Sequence, residues 1–346
     1  MSAAAGEKLR VAVVGCGAIA AFHHLPAIAE RARSGDLELA LLVDRDRDRA
    51  AALARRFGVT AIESDWRAVA GRADAAIICL PNHLHRPAAV DLLGAGLAVL
   101  VEKPMALSAA EADAMIAAAR SSAKPLAVGL EFRFFDASRA VGDLLRSGLL
   151  GAIRRVDMRV GVVSRWPFAT DFALRRETAG GGVVADFGTH VLDLLLWWLG
   201  DWELLRYRDD AQGGIEADAL LELRLGGAAA TVELSRTRNL RNTCRIEGER
   251  ATLEVGVWDP DPELRLHGAA GLDLAGHARR RGEGGMDFAE SFRRQLADFI
   301  AAVRGERPPF VPGAEGRRAL ARIDACYARR ELWELPWTLR PRAVER

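Results

Sequence analysis

Lysine is nearly missing from this chain. Of 48 basic residues only three are lysine, Lys8, Lys103 and Lys124, and the other 45 are arginine. With arginine as the default cation, a retained lysine marks a position where a compact, tunable ammonium serves better than a planar guanidinium. Lys103 stands beside other candidate site residues, whereas Lys8 and Lys124 are read as incidental. Cysteine is also scarce: Cys16, Cys79, Cys244 and Cys326 lie far apart and form no metal-binding spacing. That pattern excludes a thiolate zinc site, so no metal is expected, and it predicts reduced thiols in a cytoplasmic compartment. The net charge is only +1, which leaves no basic excess to attract nucleic acid. Repeats and low-complexity tracts are missing too. No run reaches the length of a membrane span without a charge or a Gly/Pro interruption, so no membrane partner is expected. The stretch Val11 to Phe22, following Lys8 and Arg10, has the outline of a secretory leader, but Gly15 and Gly17 interrupt it and serve another purpose.

What is present is a chain of 346 residues, half of them hydrophobic and 27% charged. That length exceeds one ordinary core and predicts roughly two domains. Leu9 to Val14 reads as a strand and leads into Gly15-Cys16-Gly17-Ala18-Ile19-Ala20. A glycine loop between a strand and a helix suits a dinucleotide. Gly15 permits the tight turn, Gly17 lets a pyrophosphate approach, and small Ala20 lets the helix pack on the strand. A second strand, Leu37 to Val43, ends on Asp44, whose carboxylate could accept from the adenosine ribose hydroxyls. Asp44 favours NAD over NADP, although the adjacent Arg45 could hold a 2′-phosphate or stack on adenine.

Further alternation predicts a helix from about Asp48 to Phe57, a strand at Ala75 to Leu80, a helix from Arg86 to Leu93 and a strand at Leu97 to Val101. A helix from Ala106 to Ser121 and a strand near Leu126 to Leu130 follow. This is the pattern of a Rossmann-type, doubly wound parallel sheet. Ligands in such sheets sit beyond the carboxyl ends of the strands, where Pro81-Asn82-His83-Leu84-His85 and Glu102-Lys103-Pro104 fall. From Gly129 the character changes. A helix to Arg146 and a strand from Ile153 to Val163 come first. Strand-like pieces at about Trp202 to Tyr207, Ala217 to Leu225, Ala229 to Arg236, Thr243 to Ile246 and Ala251 to Val257 then follow one another. They predict an α+β domain with a large, mostly antiparallel open sheet. The expected division is residues 1–128 for the dinucleotide and 129–346 for substrate and subunit contacts. Helices are expected at Phe288 to Arg304 and Glu315 to Arg330, and Gly268 to Gly285 is read as a mobile loop.

The stretch Ala179 to Gly200 is the best candidate for chemistry. If Gly180, Gly181 and Gly182 form a loop and a helix follows, Asp186 and His190 stand four apart on one face, within reach of each other. A carboxylate beside an imidazole handles protons; the alternative is a first-turn acid favoured by the helix dipole and a half-buried histidine. Gly200 is positioned to cap the helix.

Taken together, these motifs resemble the Gfo/Idh/MocA oxidoreductase family over nearly the whole chain. The likeness rests on the glycine loop with His23-His24-Leu25-Pro26, Pro81-Asn82 to His85, Glu102-Lys103-Pro104, and the glycines through Asp186-Phe187-Gly188-Thr189-His190 to Trp198-Leu199-Gly200. It implies hydride transfer between NAD, or possibly NADP, and a ring carbinol or ketone of a sugar, cyclitol or nucleotide-sugar, with Lys103, Asp186 and His190 as the polar triad. Gly15, Gly17, Ala18, Ile19, Asp44, Arg45, Pro81, Asn82, His85, Glu102 and Lys103 are the cofactor candidates. Arg133 and Arg175, by family position, and Trp166 are the candidates for substrate contact. A homodimer or homotetramer is expected. Two other activities known among such proteins are a sugar-sensing regulator without chemistry and an NAD-dependent glycoside hydrolase.

Overall fold

A computed structural model describes residues 8–163, 166–268, 271–280, 283, 285–336 and 338–339. The first sheet has six strands: β1 (Leu9–Val14), β2 (Leu37–Val43), β3 (Ile62–Glu63), β4 (Ala75–Ile78), β5 (Ala98–Glu102) and β6 (Leu126–Gly129). Their order is β3-β2-β1-β4-β5-β6 and all pairs are parallel. Both faces are covered, so β4 and β5 are buried throughout and read as continuous apolar runs. Helices α1 (Leu25–Ala32), α2 (Arg47–Phe57), α3 (His85–Gly94) and α4 (Ala109–Ser122) make the crossovers. The strand order reverses between β1 and β4. Val14 lies opposite both Val43 and Ile78, which aligns three carboxyl ends on one crevice.

The second sheet follows α5 (Asp136–Arg146). Its strands are β7 (Ile153–Gly161), β8 (Glu203–Asp209), β9 (Asp218–Leu225), β10 (Ala228–Ser235), β11 (Thr243–Gly248), β12 (Ala251–Gly256), β13 (Glu263–Gly268), β14 (Asp273–His277) and β15 (Arg330–Leu332). The order is β14-β13-β12-β11-β7-β10-β9-β8-β15. β7 with β10 and β8 with β15 run parallel, and the remaining pairs are antiparallel. After the short α6 (Arg176–Ala179), α7 (Val183–Leu199) packs across the inner face. The stretch Arg176–Leu199 is long and apolar enough to cross a membrane, but 83% of its apolar 18-residue window is buried within the protein. It is the core helix of the second domain.

The last two helices, α8 (Phe288–Val303) and α9 (Gly313–Ala328), return to the first sheet. Phe292, Leu296, Phe299 and Ile300 of α8 share a core with Val11, Val13 and Ile28, and Leu320 of α9 packs with Val128 on the other side. Both chain ends therefore build the covering of the parallel sheet, an arrangement that local periodicity does not reveal.

Two expectations are corrected. The segment Gly268 to Gly285, read as a mobile loop, contains β14, which pairs with β13 from Glu263 opposite His277 to His267 opposite Asp273. Every β14 residue is exposed, so its sequence carries no alternation to mark a strand. The second correction is Arg133. It is buried, and its guanidinium bonds Asp193 of α7 through Nε (2.7 Å) and Nη2 (2.6 Å) and Glu315 of α9 at 2.7 Å. It joins α7 and α9 to the end of the first sheet and does not face a cavity. Burial of a guanidinium is costly unless its donors are matched, and here they are. Asp193→Asn should lower unfolding free energy by roughly 3 kcal/mol in a denaturant titration, because a buried cation loses its bidentate partner. A change under about 0.5 kcal/mol would remove this pair as a structural tie.

Candidate active site

The carboxyl ends of β1, β2, β4 and β5 open on a cavity of about 840 Å³ that is also lined by residues of α7 and by residues just past strand ends of the second sheet. At its nucleotide end lies the glycine loop. Gly15 has φ 98°, and a Cβ there would collide with the Cys79 backbone. Gly17 faces open space, and Ala18 and Ile19 line the cavity where the next helix begins. Asp44 is buried at the end of β2. Its oxygens accept from the amides of Cys16 (2.9 Å) and Asp46 (2.9 Å), so it orders the loop as well as facing the cavity. Arg45 is exposed at the rim, while Arg49, not singled out from sequence, places Nη1 3.3 Å from Asp44. These features fit a dinucleotide: an open approach over Gly17, a helix start facing it, and a carboxylate at the β2 end.

Further in, Pro81, Asn82 and His85 line the wall. Asn82 donates from Nδ2 to the Ala179 carbonyl (2.8 Å), tying the first sheet to the segment before α7. The ring nitrogens of His85 lie 2.9 Å from the Pro104 carbonyl and 2.8 Å from the Leu80 carbonyl. His85 thus clamps β4 to β5. Glu102 is buried, with Oε1 2.7 Å from His24 Nε2 and Oε2 accepting the Lys103 amide at 3.1 Å. The Lys103–Pro104 peptide is cis.

At the centre, Lys103 Nζ donates to Asp186 Oδ1 at 2.6 Å, and Arg236 Nη2 donates to Asp186 Oδ2 at 2.7 Å. Burial disfavours the Lys103 ammonium, but the charge of Asp186 and then that of Glu131 outweigh it and hold Lys103 above the ordinary lysine range. Burial likewise opposes the Asp186 carboxylate, and the charges of Lys103 and Arg236 hold it well below the ordinary carboxylate range. The spacing on α7 left the partner of Asp186 open, and these contacts decide it. Asp186 and His190 do share one face of α7, but both Asp186 oxygens are engaged by cations that reach in from β5 and from the end of β10. His190 turns elsewhere: its ring stacks on Phe132 at 4.2 Å, and Nε2 lies 3.7 Å from Glu131 Oε1. His190 Nδ1 has no hydrogen-bond partner among the described residues. Burial, and then the Lys103 charge, keep the ring neutral far below the ordinary histidine range.

Sequence reasoning missed Arg236 and Glu131. Arg236 is hidden among 45 arginines. Glu131 did carry a signal, since it is the one charge between Leu126 and Phe132, just past the carboxyl end of β6. It is buried, lines the cavity, and its Oε2 has no partner among the described residues. Burial and the charge of Glu102 push its pKa up to about 8.

The central glycines also acquire a different reason. A Cβ on Gly182 would overlap the Glu216 backbone, and one on Gly181 would overlap the Tyr327 hydroxyl. Glu216 Oε1 accepts from the Gly182 and Val184 amides at 2.9 and 3.0 Å and from Tyr327 at 2.7 Å, capping α7. Gly200, with φ 84°, closes the other end by donating its amide to Leu196. At the cavity mouth Trp166 is partly exposed, its ring 6.1 Å from that of His23 and parallel to it. Arg175 is also there, exposed and paired with Asp171 at 2.5 Å.

Residues 9–130 match the model of the oxidoreductase family with an NAD-binding Rossmann fold, and residues 138–254 match the GFO/IDH/MocA C-terminal domain. The chain belongs to this family. It is 33% identical to D-glucoside 3-dehydrogenase of Escherichia coli K12 over 58% of this chain and 56% of that protein. The alignment therefore spans a little over half of the bacterial relative. It is 29% identical to mouse trans-1,2-dihydrobenzene-1,2-diol dehydrogenase over 75% of this chain and 78% of that enzyme. Among solved structures, aldose-aldose oxidoreductase from Caulobacter crescentus, complexed with glycerol, superposes with TM-score 0.81 at 25% identity, over 93% of this chain and 97% of that one.

Glu131 gives this site a stability signature. A carboxyl titrating at about 8 in the folded chain and near 4.3 when unfolded binds its proton more tightly when folded. Its contribution is complete below about pH 4 and is lost progressively, by at most about 1.4 kcal/mol per pH unit, as pH rises to about 8. Glu131→Gln should therefore gain Tm relative to the parent between pH 5 and 8, and the gap should then stay constant. Parallel Tm curves across that range would show that Glu131 has an ordinary pKa.

Proposed function

We propose that this protein is an NAD-dependent oxidoreductase that moves a hydride between nicotinamide and a ring carbon bearing a hydroxyl or keto group. The substrate class is a sugar, cyclitol or nucleotide-sugar. The observation that carries this reading is the juxtaposition, on one cavity with the glycine loop, of a lysine held cationic and a histidine held neutral. Bound nicotinamide supplies the hydride acceptor or donor. The residues do the rest. Lys103 donates to the reacting oxygen and stabilises the negative charge that develops there. His190, neutral and apolar-packed, takes the hydroxyl proton on oxidation and returns it on reduction. Asp186 keeps Lys103 charged and aimed, while Arg236 fixes Asp186 from the second sheet.

Residues 1–128 serve as the dinucleotide-binding part and 129–346 as the substrate-binding part. Trp166 is placed at the mouth to stack on a ring, and Arg175 to bond hydroxyl or phosphate groups. Asp44 argues for NAD, because a 2′-phosphate beside its carboxylate would be repelled. The names of the bacterial and mouse relatives, which specify a glucoside and a cyclic diol, support a ring-carbinol substrate. The four buried free cysteines suit a reducing, cytoplasmic setting. The open face of the nine-stranded sheet suits a homodimer or homotetramer.

Screening sugars, inositols and nucleotide-sugars with both cofactors should give turnover visible as nicotinamide absorbance. Lys103→Met and His190→Ala should each lower it by about 100-fold or more with NADH binding retained. Sugar binding without turnover in the parent would replace this reading by a sensor, and glycosidic cleavage without net reduction would replace it by a hydrolase. Asp44→Ala should reduce the preference for NAD over NADP by about tenfold, and an unchanged ratio would take Asp44 out of cofactor selection.

A further inference from the structure

Oxidising a carbinol removes a proton as well as a hydride, so the proton acceptor gains one positive charge. Here that acceptor is the buried His190 ring, flat against Phe132, in a pocket where the Lys103 ammonium already disfavours a second cation. An imidazolium in this place needs a carboxylate. Asp186 is not available, since Lys103 and Arg236 take its two oxygens at 2.6 and 2.7 Å. Glu102 is engaged by His24 and by the Lys103 amide. Asp44 stands at the nucleotide end and Asp171 pairs with Arg175 at the mouth. Among the carboxylates that line the cavity, this leaves Glu131, with Oε1 3.7 Å from His190 Nε2 and Oε2 buried without a partner among the described residues.

We propose that Glu131 is the carboxylate partner of His190, so that the proton-handling unit of this site is the Glu131–His190 pair. The inference rests on the oxidoreductase reading above. On oxidation the C–H electron pair leaves as hydride to the bound nicotinamide. The O–H bond breaks, its electron pair becomes the second bond of the ketone, and its proton passes to a ring nitrogen of His190. An ionised Glu131 then neutralises the imidazolium, and loss of that proton to water restores the neutral ring. Reduction runs the same path backwards and uses the pair with the extra proton on board.

The charges facing the pair come from three elements. Glu102 and Asp186 press Glu131 towards its neutral form, Lys103 towards its ionised form, and Arg236 acts on the pair through Asp186. Phe132 and Trp258 add no charge. With Glu131 titrating at about 8, the pair should be poised for oxidation above that pH and for reduction below it.

The test is the pH dependence of the oxidation rate at saturating NAD and substrate, for the parent, Glu131→Gln and Glu131→Asp. The parent rate should rise through a limb near pH 8. Glu131→Gln should lose that limb, so that the parent-to-variant ratio grows by about tenfold or more between pH 6 and 9.5. Glu131→Asp, which keeps an ionisable carboxyl, should restore a limb, at a shifted pH. An equal loss at both ends of the range, or an unchanged limb in Glu131→Gln, would overturn the pair. A second readout needs no turnover: ring nitrogen shifts of His190 in labelled protein should show an inflection near pH 8 that Glu131→Gln abolishes. If the parent turned over no carbohydrate and the inflection were still present, the oxidoreductase reading would fail while the coupling of the two groups stood. If turnover were present without the inflection, the pairing would fail alone.

Discussion

The site hangs on one ion-paired chain, Lys103 to Asp186 to Arg236. Each member comes from a different part of the fold: the end of a parallel strand, the first turn of the core helix, and the end of a strand in the second sheet. With about a quarter of the Asp186 side chain exposed, the chain is sheltered but open to the cavity. Its net charge is +1 at the place where an alkoxide would form. The Asp186 carboxylate, itself held ionised by Lys103 and Arg236, keeps the ammonium from neutralising on burial, which an isolated lysine in the same place would be inclined to do. The same contacts hold the two sheets in register across the cavity, so the chemistry and the assembly of the domains depend on the same hydrogen bonds.

Much of this was legible in the residues. The parallel sheet announced itself through apolar strands alternating with helices, and the glycine loop at Gly15 and the acid at Asp44 marked its nucleotide end. Lys103 stood out because lysine is so scarce. Legibility failed wherever position depended on contacts distant in sequence. Spacing on one helix placed Asp186 beside His190, but partners from β5 and β10 decided where the carboxylate turned. Arg133, one arginine among many, looked as suited to substrate as any, and burial between Asp193 and Glu315 gave it a structural task instead. The exposed strand β14 had no periodicity to betray it. Sequence patterns encode which face of an element is buried, whereas the partner across a cavity is set by topology.

The apolar lining shapes the site as much as the charges do. Phe132 covers one face of the His190 ring and meets Trp258 edge-on, and Phe187 lies under both Trp258 and the Arg236 guanidinium. In so apolar a setting each polar atom interacts strongly with its few neighbours. This is why a carboxyl at Glu131 resists ionisation and an imidazole at His190 resists protonation, although both would behave ordinarily in water.

The cap on α7 bears on how an asymmetric ligand lies in the cavity. Of the helix starts that border that space, two contrast. One, after Gly17, faces it with little in the way; the other has its leading amides closed off by the Glu216 carboxylate and sealed by Tyr327. An elongated molecule with a phosphate end therefore finds free helix-start amides at the first of these and capped ones at the second. The backbone thus distinguishes the two ends of the space before any side chain meets the reacting carbon.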